Sequence, residues 1–382
     1  MLNKFESFLY SNDLQIGFKK KFGCGPGVFL LQNVTNYFTL RKSSVYIAAL
    51  DASKAFDRIN HNVLFQKLIQ RGAPQCFIGT LSNWYRKLVS CVRWHGVLGS
   101  EFKVNCGVRQ GGILSPFLFN LYVDEMILSL KSSGNGCFVG KLFFGCIMYA
   151  DDLILLSPSV IGLQSMFHVC CAFANSHNLI FNAKKTVCIV VGKPRFNVFE
   201  LCLNQHVIHW SKQFKYLGVN FIAGAELEVD IAPVRRNFYI ACNSVIARSH
   251  GVVEPVRVQL IKSFCLPLLV FCIGALYLKR SVVHQLSVCW NDAFRRIFHF
   301  KRSESVKYLQ VMFGTLDFQH FYDLHRWNFL KSIGLKSCYW SEFVKVLDFQ
   351  YHVCVRLAAF YYDDRKFKTF RDAVYSHCSG LI

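Results

Sequence analysis

Two apolar runs on either side of a pair of acids constrain the fold of this chain more than any other feature. Residues 143–148 and 153–156 are apolar, and Tyr149-Ala150-Asp151-Asp152 separates them. Two short apolar runs around a brief polar bend predict a tight β-hairpin. The hairpin would place Asp151 and Asp152 side by side at its bend, although an Asp-Asp pair by itself is also compatible with a solvated turn.

A third acid, Asp51, ends another predicted strand. Residues 45–50 are apolar and include β-branched and aromatic side chains, which favours a buried strand with a carboxylate at its tip. Like charges crowded at the mouth of a hydrophobic sheet are costly unless a cation neutralises them. Mg²⁺ prefers oxygen ligands, and two such ions can stabilise both the attacking and the leaving oxygen of a phosphoryl transfer. Asp51, Asp151 and Asp152 are therefore candidate ligands of Mg²⁺.

Helical and strand patterns alternate over the rest of the first half. Asn60 or His61 can begin a helix that Gly72 ends, and helical spacing continues over residues 77–88. The remaining predicted elements are a hairpin over 91–106, a helix that Ser115 caps and Pro116 opens, a helix over 163–173 and a pair of short strands over 184–191. Strands that alternate with helices but return through hairpins predict an α+β fold, an antiparallel sheet with helices on one face.

The second part of the chain is predicted to be mainly helical. Strand patterns fade beyond about Ala223, which we take as a domain boundary. The longest apolar run, residues 263–278, contains Pro267 and is shorter than the ~20 residues that span a membrane. We therefore expect it to form a buried core helix.

The charge of the chain indicates a polyanionic partner. Its 382 residues include 44 Lys and Arg against 23 Asp and Glu, a net charge of +21. A field of this sign attracts nucleic acid or an anionic membrane surface. The 17 Cys form no Cys-x-x-Cys pair, and the first residues lack the apolar core of a secretion signal. We expect reduced thiols in an intracellular protein of the nucleus or cytoplasm, with no transmembrane segment.

Six short motifs, in order and at matching spacing, resemble those of one enzyme family. They are residues 15–18 (QIGF), 45–57 (VYIAALDASKAFD), 109–116 (RQGGILSP), 149–152 (YADD), 182–186 (NAKKT) and 214–219 (FKYLGV). Together they resemble the reverse transcriptases of non-LTR (LINE-type) retrotransposons, over about residues 13–300. The resemblance implies a polymerase palm followed by a helical thumb, in an N-terminally truncated fragment that begins after the fingers motifs.

Carried over position by position, the resemblance implies a metal site formed by Asp51, Asp151 and Asp152. Mg²⁺ is the implied ion, with Mn²⁺ as an alternative, and the backbone at Ala52 would lie near it. Lys185, with Lys184 as a weaker candidate, would neutralise or protonate the leaving pyrophosphate. The alternative for either residue is a solvated lysine in a turn.

The resemblance also implies a pocket for the incoming nucleotide. Phe56 would lie beneath the sugar and exclude a ribose 2′-hydroxyl, whereas its alternative is an ordinary core phenylalanine. Gln110 and Gly111 would approach the nucleotide, and glycine suits a place where backbone comes close to a ligand. Arg109 would contact template or phosphate, with a surface ion pair as its alternative.

The implied domains are a partial fingers or connecting segment (1–44), the palm (45–222), the thumb (223–300) and a helical C-terminal extension (301–382). Tyr216-Leu217-Gly218 would support the primer end, unless they are a plain strand and turn. Basic residues of the helical part would bind a duplex backbone. They are Arg257, Lys262, Lys279, Arg280, Arg295, Arg296, Lys301 and Arg302. The spacing of His352, Cys354, His377 and Cys378 is too irregular for a zinc knuckle.

The implied function is RNA-directed DNA polymerisation, in which a DNA primer is extended on an RNA template from deoxynucleoside triphosphates. Two alternatives stay open. The first is a catalytically dead nucleic-acid-binding remnant of a decayed retroelement that lacks the fingers and the endonuclease. The second is a viral RNA polymerase, against which Phe56 argues because such an enzyme must admit the 2′-hydroxyl. The oligomeric state is not predicted.

Overall fold

The computed structural model describes residues 6–20, 22–194, 199–334 and 337–347. Within these residues the chain forms two compact units. The first comprises the described residues up to Phe214 together with Ala223–Glu226. The second comprises Lys215–Ile222 and the described residues from Leu227 onward.

The elements follow one another as short strands and longer helices. The strands are β1 (Val45–Asp51), β2 (Val89–Ser90), β3 (Arg93–Trp94), β4 (Val97–Leu98), β5 (Phe102–Lys103), β6 (Phe138–Val139), β7 (Leu142–Phe143), β8 (Cys146–Tyr149), β9 (Asp152–Ser157), β10 (Val187–Val191), β11 (Leu201–Leu203), β12 (His206–Ile208), β13 (Trp210–Ser211), β14 (Gln213–Tyr216), β15 (Val219–Ala223) and β16 (Leu227–Val229). The helices are α1 (Gly25–Thr39), α2 (His61–Gln70), α3 (Gln75–Arg86), α4 (Ser115–Ser132), α5 (Val160–Ser176), α6 (Ala232–Arg248), α7 (Glu254–Phe264), α8 (Leu266–Val270), α9 (Arg280–Phe298), α10 (Lys307–Met312), α11 (Phe318–Gly334) and α12 (Cys338–Val346).

A five-stranded sheet with the order β13-β10-β1-β9-β8 forms the centre of the first unit. β1 pairs antiparallel with both β9 and β10, and β8 pairs antiparallel with β9. β13 is parallel to β10. The register places Ala48 opposite Leu155 and Asp51 opposite Asp152. The strand that the sequence predicts over residues 45–51 is therefore confirmed as the central strand of the sheet.

Apolar side chains of the sheet and two helices form the core of this unit. α1 and α5 pack against the strands, and Ile47, Leu155 and Phe167 are buried. Burying one such side chain stabilises the folded state by roughly 1.5–3 kcal/mol. α5 begins after Ser159, whose side chain accepts a hydrogen bond from the Gly162 N–H at 3.0 Å.

The predicted helix start at Asn60 or His61 is confirmed. The Asn60 side chain caps α2 by accepting hydrogen bonds from the N–H groups of Asn62 and Val63. Gly72, with φ of +70°, follows the end of this helix as predicted. α3 then begins after Pro74 as a separate helix and ends at Arg86.

The structure corrects two predictions in the first unit. α4 begins one residue earlier than expected, because Leu114 occupies its cap position and Ser115 is already helical. The Ser115 hydroxyl instead donates a hydrogen bond to the Arg109 carbonyl. The strand pair predicted over 184–191 is wrong, since β10 is a single strand whose partners are β1 and β13.

The second unit is mainly helical, as predicted, although β16 continues the strands a few residues beyond Ala223. The buried Trp290 of α9 donates a hydrogen bond from its ring N–H to the Leu316 carbonyl at 3.2 Å. The single helix expected over 263–278 is wrong. Pro267 lacks a backbone N–H, and the apolar run is divided into the end of α7, the short helix α8 and the turns that follow Val270. Phe271, directly after α8, is half exposed.

Two expectations about the C-terminal part lie outside the described residues. His352, Cys354, His377 and Cys378 belong to the part of the chain after residue 347 that the structure does not describe. The predicted extension over 301–382 is described only as far as residue 347, with a gap at 335–336. Across the described residues, no helix combines the length and the hydropathy that a membrane crossing needs.

Candidate active site

Sheet register brings the three predicted acids to one edge of the first unit. Asp51 is the last residue of β1 and lies opposite Asp152, the first residue of β9. Asp151 occupies the bend that joins β8 to β9, directly after Ala150, whose backbone is left-handed with φ of 56°. Opposed residues of antiparallel strands have Cα atoms about 4.5–5.5 Å apart. The three carboxylates therefore share one small region of the surface.

Burial and repulsion from neighbouring carboxylates disfavour the charged forms of Asp151 and Asp152. Partial burial raises the pKa of Asp151, and the Asp51 carboxylate raises it further, whereas a backbone hydrogen bond and Lys185 act in the opposite direction. The pKa of Asp152 is also raised, first by burial and then by the charges of Asp151 and Asp51. A cation among the three oxygens would remove this repulsion.

The predicted Lys185 lies beside Asp51. Its ammonium nitrogen is 3.3 Å from Asp51 Oδ2, and its side chain is 66% exposed. The turn that carries it is tied to the end of β1, because the Asn182 N–H donates to the Asp51 carbonyl at 2.8 Å. Ala52, which is buried, forms a bridge with Phe181 in the same segment. The sequence predicted these residues for one site, and the fold brings them together.

The donor set fits a hard divalent cation. In the described stretches between residues 6 and 347, no three His, Cys, Asp or Glu side chains already surround one metal position. The Lys185 ammonium instead supplies positive charge next to Asp51. Asp51, Asp151 and Asp152 nevertheless offer carboxylate oxygens alone, and such ligands favour Mg²⁺ or Mn²⁺ over softer metals.

Phe56 lies close to the acids in sequence and is held by other aromatic rings. It belongs to a 3-10 turn, Ala55–Arg58, that follows the left-handed residue Lys54. Its ring stacks on Phe119 with centroids 4.6 Å apart and planes 6° apart, and the Phe18 ring meets it edge-on at 6.0 Å. The Phe56 side chain is only partly buried. Two aromatic neighbours therefore hold the ring while part of the residue stays exposed, and its role beneath a sugar stays a prediction.

The loop with Arg109, Gln110 and Gly111 is exposed and is tied to the Phe56 turn. The Val108 N–H donates to the Phe56 carbonyl at 2.8 Å. Gln110 Nε2 donates to Asp57 Oδ1 at 3.1 Å. Gly111 has φ of +80°, a conformation that glycine adopts without strain. The structure thus places this loop beside the turn that carries Phe56, and its contact with a nucleotide stays a prediction.

Tyr216, Leu217 and Gly218 belong to the second unit. They connect β14 to β15 through a turn in which Leu217 and Gly218 have φ of 44° and 83°. A Cβ atom at Gly218 would lie 2.9 Å from the Phe271 ring, so glycine is needed there for space as well. Their role at a primer end stays a prediction.

Sequence reasoning assigned no role to one buried residue near the acids. Gln15 is fully buried, and its side-chain amide hydrogen-bonds both backbone groups of Ala150, the residue before Asp151. The motif that contains Gln15 was the only available signal, since its partner lies 135 positions away.

These elements can be compared with known proteins. Residues 3–221, more than half of the 382-residue chain, match the family of reverse transcriptases (RNA-dependent DNA polymerases). The chain belongs to this reverse transcriptase family. The match also confirms the predicted α+β class, a palm-type sheet followed by a helical region.

Two relatives place the chain more closely within the family. It is 32% identical over 218 residues to the Retrovirus-related Pol polyprotein from type-2 retrotransposable element R2DM of Drosophila melanogaster, over 55% of this chain and 20% of that protein. It is 23% identical over 270 residues to the RNA-directed DNA polymerase from mobile element jockey of the same species, over 67% of this chain and 28% of that protein. These relatives confirm the predicted resemblance to non-LTR reverse transcriptases, and the chain spans less than a third of their length.

The chain is also similar in structure to the telomerase of Candida albicans that was solved in complex with a fragment of telomeric RNA. The superposition has a TM-score of 0.45 and 13% sequence identity, and it covers 91% of this chain and 56% of that chain.

Proposed function

We propose that this chain carries the polymerase centre of a non-LTR retrotransposon and extends a DNA primer on an RNA template. The supporting observation is the register that sets Asp51 opposite Asp152, with Asp151 in the adjoining bend. Three carboxylates at the ends of neighbouring strands would hold divalent cations, and those cations would form the electrostatic clamp that nucleotidyl transfer needs more than a covalent nucleophile. Membership of the reverse transcriptase family supports the same reaction class.

Asp51, Asp151 and Asp152 would hold Mg²⁺, or Mn²⁺ in its place. The bound ions would stabilise charge on the attacking 3′-oxygen and on the leaving pyrophosphate. The pairing of β1 with β9 fixes the backbone of Asp51 and Asp152 without a ligand, so the protein itself would hold these two acids in place for the cation. The raised pKa values of Asp151 and Asp152 mean that cation binding also has to displace protons at low pH.

Lys185 would neutralise or protonate the leaving pyrophosphate. Its ammonium group lies at the acid cluster, 3.3 Å from Asp51, and its exposed side chain is free to turn towards a phosphate. A lysine is suited to this role because it carries both a positive charge and a transferable proton. Lys184 is also exposed, but the pairing with Asp51 favours Lys185.

Phe56 would select deoxynucleotides. Phe119 covers one face of its ring and Phe18 blocks one edge, so the ring cannot move away from a ribose 2′-hydroxyl. Gln110 and Gly111, on the loop beside it, would contact the nucleotide, and Arg109 the template or a phosphate. This arrangement argues against an RNA polymerase, which must admit the hydroxyl.

The partners of the proposed reaction would be an RNA template, a DNA primer and deoxynucleoside triphosphates, and the protein would act inside the cell, in the nucleus or cytoplasm. Tyr216-Leu217-Gly218 would support the primer end, and the helices of residues 223–300 would act as the thumb. A dead remnant is not proposed, because the sequence retains the three acids, Lys185 and Phe56, and Lys185 pairs with Asp51.

Primer extension by the 382-residue chain tests this proposal. A DNA primer on an RNA template should be extended with deoxynucleotides and Mg²⁺, and not after chelation of the metal. Asp151→Asn should abolish extension. Glu101→Gln, which removes one exposed acid from the same unit, should not. Absence of extension by the unaltered chain, or metal-dependent extension by Asp151→Asn, would overturn the proposal.

A further inference from the structure

Gln15 holds the bend that presents Asp151. Its Oε1 accepts hydrogen bonds from the N–H groups of Ala150 and Gly17, both at 3.1 Å. Its Nε2 donates to the Ala150 carbonyl at 3.3 Å. One side-chain amide therefore satisfies both backbone polar groups of Ala150, which is itself buried. Such groups would otherwise be left without partners in the interior.

The conformation of Ala150 explains why the bend needs this support. Its φ of 56° lies in the left-handed region, which residues other than glycine, asparagine and aspartate seldom occupy. A strained residue of this kind persists only where its surroundings hold it in place. The Gln15 amide is the surrounding group that contacts both of its hydrogen-bonding atoms.

Backbone contacts on either side of Gln15 fix its position relative to the hairpin. The Ile16 N–H donates to the Met148 carbonyl at 2.8 Å, and the Met148 N–H donates to the Leu14 carbonyl at 2.9 Å. A Cβ atom at Gly17 would lie 2.3 Å from the Ala150 nitrogen, so only glycine allows this approach. We call residues 14–18 the strap.

The strap is anchored away from the hairpin as well. Asp124 Oδ1 accepts from the Asn12 N–H at 2.6 Å, and Arg71 pairs with the other oxygen of Asp124 at 2.7 Å. Asn120 Nδ2 donates to the Gly17 carbonyl at 2.7 Å, in a buried position. Side chains of α4 therefore hold the chain on both sides of Gln15, at Asn12 and at Gly17.

We propose that Gln15 is a positioning residue, which acts through Ala150 to set the direction of Asp151 at the sheet edge. The proposal rests on the proposed function, because it assigns Gln15 to the same acid site. Gln15 is fully buried and hydrogen-bonds backbone groups of Ala150 and Gly17, so it would act through the bend rather than on the nucleotide. Its loss should act on the chemical step and on the metal requirement, and it should leave nucleotide affinity almost unchanged.

Gln15→Met tests the proposal, since methionine keeps the length of the side chain and removes all three hydrogen bonds. We expect kcat to fall about 10–100-fold, the range for loss of a group that orients a metal ligand. KM for the deoxynucleotide should stay within about threefold of the unaltered value. More Mg²⁺ should be needed for half-maximal rate, and amide hydrogen exchange over residues 146–157 should become faster.

Gln310→Met is the matched control, because Gln310 is another buried glutamine, in α10 of the second unit, where its amide donates to Asn291 Oδ1 at 2.9 Å. It should leave hydrogen exchange over 146–157 and the Mg²⁺ requirement unchanged. Ala150→Gly added to Gln15→Met should restore part of the rate, since glycine adopts a positive φ without support. If Gln15→Met does not fold, the double variant is measured in its place.

The outcomes separate this proposal from the proposed function. Equal effects of the Gln15 and Gln310 variants, unchanged exchange over 146–157, or a loss confined to KM would each overturn the positioning role. If the unaltered chain gives no extension, the proposed function fails. Faster exchange confined to the hairpin in Gln15→Met would still support the contact itself.

Discussion

The two units differ in how closely their proposed roles depend on single residues. In the first unit, one register between β1 and β9 decides whether Asp51 meets Asp152. In the second unit, positive charge is spread over helices, and several cations already have partners there. Arg295 pairs with Asp292 at 2.9 Å, and Lys279 pairs with Glu228 at 2.6 Å. The proposed chemistry would therefore depend on a few residues at the strand ends, whereas duplex binding would be shared among many exposed groups.

Asp151→Asn has the largest expected effect, and it should lower the rate of primer extension without lowering duplex affinity. Asp151→Asn should lower primer extension about 10³-fold or more, the scale of losing a preorganised electrostatic group. Affinity for an RNA–DNA duplex should change little, because the phosphate contacts would come from other residues. Extension and duplex binding are measured on the same preparation. An equal loss of both would contradict the assignment of catalysis to the first unit and duplex binding to the second.

Lys185→Met should have the next largest effect. Loss of a proton donor at the leaving group is expected to slow nucleotide addition about 10²-fold. Lys184→Met provides the control, since Lys184 is the exposed neighbour in the same turn. Single-turnover rates measure the chemical step directly. Equal rates for both variants would remove Lys185 from the site.

Phe56→Ala should change sugar selection more than it changes rate. We expect discrimination against ribonucleotides to fall about 10–100-fold, the range for a packing contact of this size. Competition between a deoxynucleotide and its ribonucleotide counterpart measures the ratio of kcat/KM values. Phe77→Ala, which truncates a buried ring of α3, should leave the ratio unchanged. A ratio that Phe56→Ala does not alter would assign Phe56 to the core.

The smallest effect is expected in the second unit. Arg302 is exposed, and Arg302→Gln should weaken duplex binding about fivefold or less, as for a single exposed ion pair. The slope of log affinity against log salt should decrease by about one. Binding isotherms at several salt concentrations measure both quantities. A loss as large as that of Asp151→Asn in extension would show that binding also depends on single residues.

Sequence patterns were sufficient for the parts of the first unit that depend on neighbours in the chain. The apolar runs around residues 149–152 predict β8 and β9, and the pattern at Asn60 predicts the start of α2. Ser115 was misplaced at the cap of α4 because its hydroxyl donates to Arg109 across a loop. The apolar run around Pro267 predicts one helix, whereas the chain forms α7, α8 and turns there, because proline has no N–H for a helical hydrogen bond.

In the candidate site, too, sequence patterns do not predict contacts between distant segments. The family motifs point to the three acids, Phe56 and Lys185, whereas the hydrogen bonds of Gln15 to Ala150 depend on a contact between distant segments. No periodicity marks such a contact, since a buried glutamine and a surface glutamine look alike in sequence. The contact between Gln15 and Ala150 depends on how two distant segments pack, and only the folded structure shows that packing.

Iron-directed cleavage offers the most direct test that residue 51 shares a cation with residues 151 and 152. Fe²⁺ replaces Mg²⁺, and added hydrogen peroxide, which oxidises the bound Fe²⁺ to Fe³⁺, releases hydroxide and a hydroxyl radical that cuts the backbone nearby. The account predicts cuts both around residue 51 and around residues 150–152, which excess Mg²⁺ and Asp151→Asn suppress together. Cuts at only one of these segments, or cuts that persist in Asp151→Asn, would contradict it.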